Sequence, residues 1–261
     1  MKNYRNLLFD LDPQLIAILF FFGFLAAFID SVVGGGGLIS LPALLFSGLS
    51  PSAAVATNKL AGTMGSLTST ITFYRSGKID LKSVMKYFPL TFFGSMIGAW
   101  VVHLMNPELL KPLMLVMLAA VAVYTIFKKD WGSISAVKTL SKVKYGLFLI
   151  VVTAIGFYDG FLGPGTGSFL IFAFLIVGYD FLKAAGNAKL LNFGSNVGAL
   201  IMFVFLGQIN FAYGLIMGVA QILGAICGSK YAIKRGSGYV RGLFITVTVL
   251  LLAKNAYDFF F

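Results

Sequence analysis

Apolar residues fall in long runs along this chain, separated by short polar or glycine-rich breaks: roughly 14–33, 36–48, 52–74, 83–104, 109–127, 144–162, 167–178, 182–206, 210–233 and 240–260. A helix needs about 20 mostly apolar residues to cross a hydrocarbon core of ~30 Å. Runs 36–48 and 167–178 are too short for that, and each follows a glycine cluster, Gly34–Gly37 or Gly163–Gly167. The others are long enough. The pattern predicts an all-α polytopic membrane protein with one transmembrane domain over 1–261, whose short glycine-interrupted segments either span or re-enter.

The ten runs divide into two matching sets of five. "FIDSVVGGG" at 28–36 aligns with "FYDGFLGPG" at 157–165, an offset of 129. One inserted residue shifts the offset to 130 by the time "TNK" (57–59) meets "GNAK" (186–189). "GKIDL" (77–81) then meets "GQINF" (207–211), and Gly94 and Gly98 meet Gly224 and Gly228. The repeats are approximately 14–128 and 144–260. Short, glycine-broken segments at corresponding places in two halves point to the binding site of a transporter.

Charge sets the orientation. Lysines and arginines collect in three connections: Arg75, Lys78, Lys82 and Lys86; Lys128, Lys129, Lys138, Lys142 and Lys144; and Lys230, Lys234, Arg235 and Arg241. Connections rich in Lys and Arg stay in the cytoplasm. With all three inside, both termini are expected on the non-cytoplasmic side and the two repeats are inverted relative to each other. The matched turns agree: GKIDL is charged where it faces inward, GQINF neutral where it faces outward. Lys2 and Arg5 argue mildly the other way, with Asp10 and Asp12 beside them. The run from Leu15 lacks a small-residue cleavage pattern, so it reads as a first membrane helix and not a removed signal.

Composition narrows the class. The chain is 59% hydrophobic and 11% charged, against about 25% charged in soluble domains. Its net charge of +11 sits in helix flanks, which excludes nucleic acid as the expected partner and leaves the lipid bilayer. Cys227 is the one cysteine and His103 the one histidine, which leaves no thiolate or imidazole metal set and no Ser-His-Asp triad. Neither a metal nor a cofactor is expected, and the chain does not read as an enzyme.

Four ionisable residues lie within apolar runs: Asp30 and Lys59 in the first repeat, Asp159 and Lys189 in the second. A charge at the middle of a spanning helix costs about 2.5–3.5 kcal/mol on insertion scales, so such residues face the protein interior and mark function. Lys59 lies ~10 Å along its helix, and inversion brings Lys189 toward the same central region. Gly34, Gly35, Gly36 and Gly37, with Gly163, Gly165, Thr166 and Gly167, offer exposed backbone N–H groups at the starts of short helices. Such ends favour anions. Asn58 and Asn187 sit beside the lysines as amide donors, with Thr57, Ser168, Asn192, Ser195 and Asn196 as further candidates. Asp30 and Asp159 are candidates for carrying a coupling proton, because burial favours the neutral form of a carboxyl group. The alternative is that each Asp pairs with the nearby Lys as a helix fastener and the glycine clusters serve close packing, which is the expected role of Gly94, Gly98, Gly224 and Gly228. Pro42 marks an expected kink.

"DSVVGGGGLISLPALL", "AVATNKLAGTMGSLTSTITFYRSGKIDL", "YDGFLGPGTGSFL" and "NAKLLNFGSNVGAL" resemble the sulfite exporter TauE/SafE family over nearly the whole chain. The resemblance implies a multi-pass inner-membrane transporter of small anions such as sulfite, thiosulfate or sulfonates. It places the family's glycine-rich segments on Gly34–Gly37 and Gly163–Gly167 and its first-repeat proline on Pro42; the second-repeat counterpart, near Ile171, is not proline. A membrane-embedded enzyme and a non-transporting scaffold are the other classes weighed.

Overall fold

Helix starts follow local capping chemistry. Asp12 accepts a hydrogen bond from Gln14 N and Pro13 supplies a preset φ, which opens α1 (Pro13–Val33). The computed structural model describes residues 12–106, 108, 109, 116 and 141–260, with 237–260 by backbone alone. Outside the described residues lie the expected run at 109–127 (residues 109 and 116 aside), Lys128, Lys129, Lys138, Lys2, Arg5 and Asp10, and the side chain of Arg241.

Gly34 ends α1 with a φ of 76°, a conformation that L side chains avoid. The ten-residue α2 (Gly37–Phe46) follows and continues through Pro42. It is ~15 Å long, half a bilayer. Ser50 caps α3 (Pro51–Arg75). The predicted run at 83–104 starts later as a regular helix, α5 (Phe88–Leu104). Asp80 first caps a single turn, α4 (Leu81–Val84), a 3-10 turn at Met85–Tyr87 follows, and Pro89 then fits the first turn of α5. The second half repeats the order: α6 (Lys142–Phe161), the short α7 (Thr166–Val177), α8 (Phe181–Phe205) and α9 (Phe211–Phe260). Runs 210–233 and 240–260 are joined within α9, which breaks at Gly236 (φ 76°, ψ −173°).

Contacts fix the helix directions. Along α3, Leu60 meets Gly214 and Met64 meets Gly218, so α3 and α9 run parallel; Gly65 against Ala27 and Ser31 against Ser69 make α1 parallel to α3. Thr91 to Leu191 and Ser95 to Ser195 make α5 parallel to α8, and Gly156 on Thr91 with Gly160 on Ser95 makes α6 parallel to α5. Between the groups the order reverses: Thr57 meets Asn210, Gly62 meets Asn196, and Lys78 meets Gly186. Thus α3 and α8 cross antiparallel at the centre.

The first helix of each half packs against the last helix of the other. Gly224 and Gly228 lie on the carbonyls of Phe24 and Phe28, and Gly94 and Gly98 lie on those of Thr153 and Phe157. An added Cβ would overlap backbone at all four, so these glycines are packing residues.

These directions bring the ends of α3 and of the 211–236 part of α9 together with the starts of α5, α6 and α8. Arg75, Lys78, Lys86, Lys142, Lys230 and Lys234 therefore share one end of the bundle. There Lys86 lies 5.0 Å from the Tyr87 ring and 5.4 Å from that of Tyr145. Its hydrogen bond with Tyr87 holds the ammonium pKa above the usual lysine value. Burial, then the Asp80 charge, pushes the Tyr179 phenol upward at the same end.

Among the described residues, four helices are long and apolar enough to cross a membrane: α1, α6, α8 and the 211–236 part of α9. Phe21, Phe93, Ile150 and Phe205 are exposed on the outside of the bundle, an apolar exterior suited to lipid. In α3 the polar residues Thr57, Asn58, Lys59, Ser66, Ser69 and Thr70 are all buried. The chain is an all-α polytopic membrane protein with its polar face turned inward.

Candidate functional site

Near the end of α1, Asp30 turns its carboxylate back over the glycine cluster. One oxygen, Oδ1, accepts from the N–H groups of Gly35 and Gly36, both at 3.1 Å. The other accepts from Lys189 Nζ at 2.6 Å. The α2 N-terminus therefore already holds an anion, and that anion is part of the protein.

Asp159, the matching residue on α6, is held differently. Its Oδ1 is 2.9 Å from Lys59 Nζ and its Oδ2 accepts from the Ser195 hydroxyl at 2.6 Å. The pairs are crossed: each Asp takes the lysine of the other half, not the one nearby in its own. They also differ in access. The Asp159 and Lys59 side chains are 3% and 2% exposed; Asp30 is 23% exposed, its Lys189 fully enclosed. Measured from the crossing of Gly62 and Asn196, Lys59 and Lys189 lie on opposite sides, about 15 Å apart along the bundle at ~1.5 Å per residue.

The two glycine clusters touch. A Cβ on Gly34 would overlap the backbone of Gly167 and Ser168, and one on Gly37 would stand 3.1 Å from Pro164 Cα. The Ser168 hydroxyl donates to Val33 O at 3.1 Å and ties the tips together. The Thr166 hydroxyl donates to Gly163 O at 2.8 Å, and Tyr158 OH to Pro164 O at 2.7 Å. Gly165, in the left-handed conformation (φ 81°), opens α7.

Between the crossed pairs lies a cavity with about 40 Å³ for water centres. At about 10–15 Å³ per water, that is room for roughly three or four small atoms. It is lined by Asp30, Lys59, Asp159, Asn58, by Gly35, Gly36 and Gly37, and by Gly163, Gly165, Thr166 and Gly167. Asn192 and Asn196 also reach it. Gly34, Lys189, Asn187, Thr57, Ser168 and Ser195 do not line it. Gly34 serves the contact between the tips and Lys189 reaches the site only through Asp30.

Asn58 and Asn187, expected as matching donors, are placed apart. Asn187 Oδ1 accepts from Asp80 N at 2.9 Å in the GKIDL turn. Its structural counterpart is Thr57, whose hydroxyl accepts from Asn210 N at 3.0 Å in the GQINF turn. Asn187 thus anchors a turn, while Asn58 faces the cavity with its Oδ1 buried and unpartnered. Gln221 also lines the cavity and escaped the sequence reading. The signal was there, a lone glutamine in the apolar "VAQILGA", but an uncharged amide stands out less than a lysine.

Residues 19–255 match the model of the family described as Sulfite exporter TauE/SafE. The chain is 39% identical to probable membrane transporter protein ORF9 of Sinorhizobium sp, over 95% of each chain. It is 38% identical to probable membrane transporter protein YfcA of Escherichia coli K12, over 97% of this chain and 94% of that one. A probable membrane transporter protein of Haemophilus influenzae is 36% identical, over 95% and 97% respectively. No solved structure is significantly similar.

Proposed function

The chain belongs to the sulfite exporter TauE/SafE family and is a membrane transporter; on that premise we propose that it carries small anions, sulfur oxyanions or organosulfonates, across the inner membrane. The observation that carries this reading is a polar cavity between the two lysine–aspartate pairs, lined by Asp30, Asp159 and Lys59 and by the glycine-rich starts of both short helices. Its size favours the compact end of that range, an ion such as sulfite.

The two halves act as inverted repeats, a reading supported by the antiparallel crossing of α3 and α8 and the reciprocal packing of first and last helices. The basic end faces the cytoplasm and both termini the other side. Rocking of one half against the other alternates access to the cavity.

Charge balance gives a mechanism. Two carboxylates face two ammonium groups, so the four together carry no spare positive charge. A proton on Asp159 releases Lys59 to face the cavity and bind the anion, and anion and proton then move together. The competing reading, that the pairs are fasteners alone, is favoured by the fact that both are closed here.

Flux of sulfite into proteoliposomes tests the choice. Replacing a pair by apolar residues, Lys59→Met with Asp159→Leu, removes charge while filling similar volume. Transport is expected to stop in a folded protein. Wild-type flux in that variant would make the pair a fastener.

A further inference from the structure

Symmetry accounts for the charged groups and the glycine clusters, but not for every polar group on the cavity. Three side-chain amides line it without a protein partner among the described residues: Asn192 on α8 and, on two helices that run together, Asn58 on α3 and Gln221 on α9. Asn58 and Gln221 have no polar equivalent facing it at the matching place of the other repeat. At the offset of 130, Asn58 corresponds to Ala188 and Gln221 to Thr91. The Thr91 hydroxyl is already used, donating to Leu191 O at 3.0 Å and to Phe88 O at 3.1 Å.

Both amides are more than nine-tenths buried, at 8% for Asn58 and 6% for Gln221. Neither takes part in a hydrogen bond among the described residues, and Asn58 Oδ1 has no access to solvent. A buried polar group left unpaired costs about 1–3 kcal/mol, and native proteins keep few of them. Gly65 makes room for Gln221: a Cβ there would stand 2.8 Å from its Oε1. The fold thus holds a glutamine on an otherwise apolar stretch of α9, against a glycine of α3, with its amide toward the cavity.

Resting on the anion-transport reading above, we infer that Asn58 and Gln221 are the residues that select the cargo, a compact oxyanion whose oxygens are read by neutral amides. Lys59, the lysine that lines the cavity, supplies attraction to any anion. An amide adds directional donors and an acceptor without changing the charge of the site, so it distinguishes an oxyanion of fixed shape from a spherical halide. Because both amides lie on α3 and α9, which run together in one half of the bundle, these two meet the cargo from one side of the site, and the coupling charges come from both.

The test is binding by purified protein in detergent, by calorimetry and thermal shift, with sodium sulfite, thiosulfate, methanesulfonate and chloride. Gln221→Leu and Asn58→Ala are each expected to weaken sulfite about 10- to 100-fold, the range for losing a hydrogen bond to a charged group. Chloride affinity should change little, and the ligand-free melting temperature should be kept. Gln221→Asn should recover part of the preference. Unchanged sulfite affinity and unchanged order among the four anions in these variants would overturn the inference while leaving anion transport standing. A wild-type protein that binds none of them would remove the anion reading and this inference with it. If Gln221→Leu does not fold, Asn58→Ala and Gln221→Asn are read in its place by the same criteria.

Discussion

The two aspartates occupy matching places in the repeat, yet they live in different surroundings. Asp159 is sealed and needs Lys59 and Ser195, both side chains, to satisfy it. Asp30 is partly open and leans on backbone N–H groups at the start of α2 as well as on Lys189. A duplicated sequence therefore does not give a duplicated site. Backbone donors cannot be removed by substitution, whereas side-chain donors can, so the Asp159 half is the more vulnerable of the two.

Removing a lysine should expose that difference most strongly. Lys59→Ala leaves a carboxylate in the sealed pocket with one hydroxyl for company, and stranding a buried charge costs about 3–5 kcal/mol. The expected result is a large fall in melting temperature in detergent and no sulfite flux. Partial recovery of stability, without flux, should follow when Asp159→Leu is added. A Lys59→Ala protein as stable as wild type would mean that the pair adds nothing to the fold.

The contact between the half-helix tips comes next. Gly34 has a positive φ and backbone of Gly167 and Ser168 where its Cβ would go, so neither neighbour can turn aside. Overpacking costs about 1–3 kcal/mol and strained backbone a further ~1 kcal/mol or more, giving roughly 2–4 kcal/mol for Gly34→Ala. Gly48 also has a positive φ (86°) but nothing within 4 Å. Gly48→Ala should show the backbone term alone, about 1 kcal/mol. Equal losses at the two positions would show that the tips do not press on each other.

Much of this was legible beforehand, for physical reasons that can be named. A lysine or aspartate in an apolar run is conspicuous because its cost in lipid is high, and Asp30, Lys59, Asp159 and Lys189 do pair within the bundle. Gly94, Gly98, Gly224 and Gly228 were readable as close-packing residues from their spacing, and they lie on opposing backbone. Which lysine meets which aspartate was not legible, since pairing depends on the crossing of α3 and α8 and not on distance along the chain. For the same reason Asn187 passed for a partner of Asn58, though one holds a turn and the other faces the cavity. Gln221 was missed because a single amide costs too little in an apolar helix to draw notice.

Lys189→Ala sharpens the comparison from the other half. Asp30 keeps its two N–H donors and some contact with solvent, so screening softens the loss. The stability cost should be roughly half that of Lys59→Ala, measured in the same detergent melts. Flux should still be lost, because the charge balance across the cavity is broken. A stability loss as large as that of Lys59→Ala would place Asp30 in an environment as dry as that of Asp159.

The smallest effect separates the donors themselves. Ser195→Ala deletes the hydroxyl on Asp159 Oδ2 and the bonds it shares with Asn192 O, and it touches nothing at Asp30. A hydrogen bond to a charged group is worth about 1.5–3 kcal/mol, part of which Lys59 retains by moving over the carboxylate, so a loss of about 1 kcal/mol is expected. Ser168→Ala removes a hydroxyl-to-carbonyl bond between the tips and no contact of a carboxylate, so it should cost less in the same detergent melts. Equal losses in the two variants would show that the hydroxyl on Asp159 is worth no more than a bond between neutral groups.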